Sequence, residues 1–127
     1  MTTRLPHYFI AIAAVLLALA TGLGAWASHG LAARLDPGAL ASFETAVNYQ
    51  FIHALGVLAI GIYAACTRAT RLLMLAAALL AIGIVLFCGG VYTSSLDGPR
   101  AIAALAPTGG VSLIVGWLAV AVVVLRR

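Results

Sequence analysis

Four long apolar stretches, residues 8–27, 47–66, 72–92 and 105–125, dominate the chain, and none of them contains Asp, Glu, Lys or Arg. Each supplies about the 20 residues that a helix needs to cross a bilayer core. Apolar and polar positions do not alternate within them, which argues against barrel strands and for helices. A helix also satisfies its own backbone hydrogen bonds in hydrocarbon. The pattern predicts an all-α four-helix transmembrane bundle with short connections, with residues 1–127 forming a single integral membrane domain.

The connections carry their own signals. Residues 67–71 leave room for only a tight turn, which makes spans two and three antiparallel neighbours. In the longest connection, 28–46, Asp36 before Pro37 has the form of a helix cap followed by a first-turn proline. Leu40, Phe43 and Val47 then recur at helical spacing, so a short amphipathic helical segment is predicted to lead into the second span. Asp97-Gly98-Pro99 marks the third connection as a loop. Ala25-Trp26-Ala27 ahead of Ser28 has the look of a signal-peptide cleavage site. The apolar run before it exceeds the roughly 7–15 residues of a signal core, so an uncleaved span is expected.

Composition agrees with the pattern. Hydrophobic residues make up 65% of the chain and charged residues 8%, against roughly 45–50% and about 25% in soluble domains. A chain this short cannot hide so much apolar surface inside itself, so its partner is the lipid bilayer. The net charge of +4 comes from seven arginines against three acids. The arginines stand singly or in pairs beside apolar runs, with no basic stripe or aromatic stacking platform, so no nucleic-acid partner is expected. Arg4, Arg68, Arg71, Arg126 and Arg127 fall on one side of a four-span topology; Arg34 and Arg100 fall on the other with Asp36, Glu44 and Asp97. That bias predicts both termini on the cytoplasmic side. Cys66 and Cys88 then lie at different depths and are not expected to pair.

Membrane helices associate where small residues let backbones approach. Ala20 and Gly24, Gly61 and Ala65, Ala77 and Ala81, Gly90 and Ser94, and Ser112 and Gly116 offer such pairs four residues apart. Polar residues gather at one end of the predicted bundle: Ser28 and His29 close span one, Asn48, Tyr49, Gln50 and His53 open span two, residues 92–95 close span three, and residues 107–110 open span four. The candidate polar cluster is His29, Asn48, Gln50, His53, Tyr92 and Thr108. Ala46, Gln50, His53, Val57 and Gly61 share one helical face, expected to point into the bundle. His29, Gln50, His53 and Thr108 are expected to meet at the outer end.

The structural account of these residues is an interhelical hydrogen-bond set, with Trp26 and Tyr49 as interface-belt residues. The functional account is a site for a lipid headgroup, quinone, metal or small solute. Imidazole with carboxylate suits several metals, but no H-x-x-x-H or C-x-x-C spacing supports one, so neither metal nor cofactor is expected. Residues 108–110 could receive an anion at a helix start or simply cap a helix in close contact. No nucleophile elbow, phosphate loop, zinc-protease motif or paired intramembrane carboxylates are present, so the chain is not expected to be an enzyme. Nor does it show the charged or broken spans usual in transporters.

Segments 24–31 (GAWASHGL), 49–53 (YQFIH), 86–92 (LFCGGVY) and 107–110 with Gly116-Trp117 (PTGG…GW) resemble the YgdD/YwdK-like family of small four-helix bacterial membrane proteins, an uncharacterised family. Cys88-Gly89-Gly90 departs from the serine-glycine-serine type of turn expected there. The resemblance implies a multi-pass bacterial plasma (inner) membrane protein and transfers no catalytic residues. Two function classes follow: a structural or accessory protein packing against itself or a larger membrane complex, and a ligand-binding or small-solute transport protein using the polar cluster. The topology is open to direct test. Reporter fusions at Thr67 and Ser95 should read cytoplasmic and external respectively; the reverse result would refute the orientation.

Overall fold

Capping chemistry sets the helix boundaries. The computed structural model describes residues 4–126; Arg127, one of the arginines assigned to the inner side, lies outside them. Helix α1 spans Leu5–His29 and is followed by a 3-10 turn, Leu31–Ala33. The Asp36 carboxylate accepts from the Ala39 N–H at 2.9 Å and opens α2, Pro37–Cys66. Thr70 does the same for α3, Arg71–Ser95, accepting from the Leu73 N–H at 3.2 Å. After the single turn α4, Arg100–Ala103, comes α5, Ala106–Leu125. The end of α3 closes as a Schellman turn, Gly98 N–H to Thr93 O at 2.8 Å and Asp97 N–H to Ser94 O at 3.3 Å. Asp97 holds the left-handed position, φ 54°, where glycine is more usual.

Among the described residues, four helical stretches are long and apolar enough to cross a membrane and no strand is present. The amphipathic segment runs directly into the second span, as its spacing predicts. It is the first third of a continuous 30-residue α2, and its Phe43 is fully buried with Ala27, Leu31 and Val47 in a small core where α1 ends and α2 begins. Helices α2 and α3 form the middle of the bundle, with α1 packed chiefly on α2 and α5 on α3. The main core runs between them through Ala54, Val57, Leu80, Ile84 and Leu113. Cys66 is exposed and Cys88 buried, and both are free thiols.

The tightest seam joins α3 to α5. Leu80 faces Gly116, Leu113 faces Gly83, Phe87 faces Gly109 and Ala106 faces Gly90. On each helix the glycines are seven residues apart, which keeps one edge aligned with an antiparallel partner. At Gly83 and Gly116 a leucine of the other helix fills the space that the glycine leaves, and at Gly90 and Gly109 the helices approach through Ala106 and backbone. At Gly109 an added Cβ would run into the backbone of Leu86 and Phe87, which cannot move aside as a side chain could. At the same seam the Ser112 hydroxyl donates to Leu79 O at 2.7 Å. Of the small pairs expected from sequence, Gly90 and the Ser112–Gly116 pair lie on this seam; Gly61 lies instead against Pro6 and Ile10 of α1.

Replacing Gly109 by leucine should cost about 3 kcal/mol or more, the upper range for overpacking. Gly89→Ala, whose Cβ meets nothing within 4 Å, should be neutral or gain roughly 0.5–1 kcal/mol of helix stability. Thermal unfolding in micelles compares the two, and equal effects would contradict the seam.

Candidate functional site

Interhelix contacts set the depth of each polar group. Gly24 of α1 lies against Val47 of α2, and Ile10 lies against Gly61. Gln50 reaches the Leu16 carbonyl, near the middle of α1. His29 lies 13 residues further along α1, or about 20 Å by helical rise. The expectation that His29, Gln50, His53 and Thr108 meet at the outer end is therefore corrected. The α2 helix starts at Pro37, so Val47 lies level with Gly24 and Gln50 reaches towards the middle of α1.

Gln50 ties three helices together. Its Nε2–H donates to Leu16 O of α1 at 2.7 Å, and its Oε1 accepts from the Tyr92 hydroxyl of α3 at 2.8 Å. A backbone carbonyl only accepts, which settles the orientation of the amide. Gln50 is 4% exposed. Just outward, Tyr92 packs on Phe43 (centroids 4.7 Å) and Phe43 meets Trp26 edge-on at 5.9 Å, linking the same three helices. The buried Cys88 thiol donates to Ala46 O at 3.3 Å, so the departure at Cys88 keeps a polar contact there.

His53 faces a different neighbour. The α2 face through Ala46, Gln50, His53, Val57 and Gly61 is buried throughout, but its two edges diverge. Gln50 turns to α1 and α3, whereas His53 turns to α5, with its ring 6.2 Å from that of Trp117. Tyr49 stacks on His53 at 5.4 Å and lies 5.0 Å from Phe87 of α3. His53 Nδ1 lies 2.7 Å from Tyr49 O. These side chains and Gly110 line a lateral groove of about 370 Å³. His29 and Thr108 are exposed at the helix ends. Asn48 is exposed on α2, in a groove with Glu44 and with Gly24 and Ser28 of α1. Of the six candidates, the structure joins Gln50 to Tyr92 and leaves the other four apart. A further cavity of about 400 Å³ at the outer end is lined by Gly38, Ser42, Ser94 and Ser95. The Ser95 hydroxyl is buried there without a partner among the described residues. Among the described residues, no His, Cys, Asp and Glu gather as a metal would require.

Residues 23–110 match the family model described as protein of unknown function DUF423. The matched stretch takes in α2, α3, the Gln50–Tyr92 bond and most of the groove. The chain belongs to this family. Among its relatives, the UPF0382 membrane protein SSP2132 of Staphylococcus saprophyticus is 42% identical over 87% of this chain and 90% of its own length. YwdK of Bacillus subtilis, a UPF0382 membrane protein, is 33% identical over 93% and 96%. The UPF0382 inner membrane protein YgdD of Escherichia coli is 32% identical over 92% and 86%. No solved structure matches. This DUF423 chain is thus a multi-pass membrane protein of a family with no assigned activity.

Sequence reasoning missed Trp117 and Phe87, noticed only as parts of family segments. The signal was present in Gly116-Trp117, since a glycine that admits close packing fixes where the next side chain projects. Tyr92→Phe, which leaves Gln50 Oε1 without a donor, should cost about 0.6–1.7 kcal/mol, the range for intramembrane hydrogen bonds. Gln50→Leu, which orphans the Tyr92 hydroxyl, should cost at least as much. His29→Ala, at an exposed end, should change the unfolding temperature least; the reverse order would deny the Gln50 clamp.

Proposed function

We propose that this chain is a non-enzymatic structural or accessory protein of the bacterial plasma membrane that packs laterally against a second copy or a larger membrane complex, with both termini cytoplasmic. One observation carries this reading: the exposed amide of Asn48, which has no partner among the described residues. Asn48 lies five residues before His53, or about 7 Å by helical rise, and shares its groove with Glu44 of α2 and with Gly24 and Ser28 of α1. A side-chain amide facing lipid there is unfavourable, and polar groups at such positions hold helices together.

The adjoining surface of α1 suits a helical partner. Its inward edge is Pro6, Ala13, Ala20 and Ala27, all buried. Its outward edge carries Ala14, Ala18 and Gly22 at four-residue spacing, all exposed. Small residues in that pattern let another helix approach closely. The arginine bias supports the orientation, because Arg4, Arg68, Arg71 and Arg126 sit at the end where α1 and α3 begin and α2 and α5 finish.

Disulfide crosslinking of Gly22→Cys in native membranes, with native mass spectrometry from lipid nanodiscs, tests association. Asn48→Leu and Ala18→Leu should each weaken it by about 5–30-fold, equivalent to 1–2 kcal/mol, while unfolding stays unchanged. A chain that is monomeric in both measurements refutes the proposal.

A further inference from the structure

The groove between α2, α3 and α5 has the size, walls and hydrogen-bonding needs of a small-ligand site. Its volume of about 370 Å³ falls within the roughly 300–1,000 Å³ usual for such sites. Four rings line it, Tyr49 and His53 from α2, Phe87 from α3 and Trp117 from α5, with Leu113 and Ile114 of α5 completing the wall. Flat walls of this kind favour a flat occupant. The mouth opens sideways, since Tyr49 is 41% and Trp117 40% exposed at membrane depth. An occupant therefore enters from the lipid.

Two polar atoms specify its chemistry. Tyr49 O can only accept, so His53 Nδ1 donates to it, and in the tautomer with its one proton there Nε2 is an acceptor. His53 is 9% exposed, and among the described residues its Nε2 has no donor. The Trp117 Nε1–H has no acceptor among them either, and Cζ2 and Cη2, on the Nε1 side of the indole, rest against Gly56. Near the bilayer midplane no water is available to satisfy these groups. An acyl chain would fill the groove and leave both unpaired, which is unfavourable. One hydroxyl suits both, because it donates through its hydrogen and accepts through its lone pairs.

We infer that this groove binds the head of a membrane-soluble aromatic alcohol, a phenol or hydroquinone ring, with its hydroxyl donating to His53 Nε2 and accepting from Trp117 Nε1–H. Gly110 leaves the space for the ring. A Cβ there would come no closer than 3.6 Å to Phe87, so a longer side chain at 110 blocks the groove without forcing the α3–α5 seam apart. The inference goes beyond the accessory reading and does not rest on it.

Equilibrium binding of radiolabelled 4-decylphenol to the full chain in nanodiscs tests it, with 4-decylanisole as the control that keeps ring and tail but lacks the hydroxyl proton. The phenol should bind saturably at one site per chain, and the ether about tenfold more weakly, the loss of one hydrogen bond. His53→Phe should bring the phenol to the affinity of the ether. Gly110→Leu should abolish saturable binding of both while thermal unfolding stays unchanged. Ala18→Leu should leave binding intact, which separates this outcome from failure of the association proposal. Equal affinity for phenol and ether, phenol binding unaffected by His53→Phe, or no saturable phenol binding to the folded wild type would each overturn the inference.

Discussion

Inside the hydrocarbon a hydrogen-bonding group has no water to fall back on, and the polar chemistry of this chain is arranged around that fact. Most groups are satisfied within the protein. Gln50 spends its amide on α1 and α3, Cys88 on Ala46 and Ser112 on Leu79. Thr21, Thr45 and Thr93 return their hydroxyls to carbonyls one turn back. The bonds of Gln50, Cys88 and Ser112 tie helices to one another, and the threonine bonds stay within their own helices. Asn48 and the outer nitrogens of His53 and Trp117 stand apart from this pattern, and they are where a partner or ligand is to be sought.

Packing decides where those exceptions lie. The glycine seam brings α5 so close to α3 that Trp117 reaches across to Gly56 of α2. Phe87 serves two surfaces at once: its backbone abuts Gly109, and its ring lines the groove. A change at the seam would therefore reach the groove through rigid contacts. On the opposite flank, α1 turns its alanine edge inward and leaves a second small-residue edge facing lipid. Core, groove and outward face are thus built from different edges of the same helices.

Much of the architecture was legible in advance. Asp36-Pro37 announced the start of α2 because the cap needs only a carboxylate three residues before an orphan N–H. The short segment between Cys66 and Arg71 could do nothing but turn. The pairing of Gln50 with Tyr92 was less legible: both were singled out as polar, yet nothing in their spacing showed that a tyrosine on α3 would reach that amide. The seven-residue glycine spacing at 83 and 90, and at 109 and 116, was present in the chain. It was hidden among the many alanines that make four-residue spacings common.

The sequence by itself determined that the chain crosses a membrane four times as helices, because hydropathy and backbone satisfaction are local properties of each stretch. It also carried the arginine asymmetry between the two ends. Only the tertiary structure decided depth and facing. The first third of α2 looked like an approach to the membrane because Asp36 caps it and Glu44 lies within it. Burial of Phe43 against α1 instead draws Gln50 and His53 to mid-membrane. Whether a polar residue meets lipid, another helix or an open groove depends on which neighbour lies beside it. That is a property of two or more helices together, and no single stretch of sequence contains it.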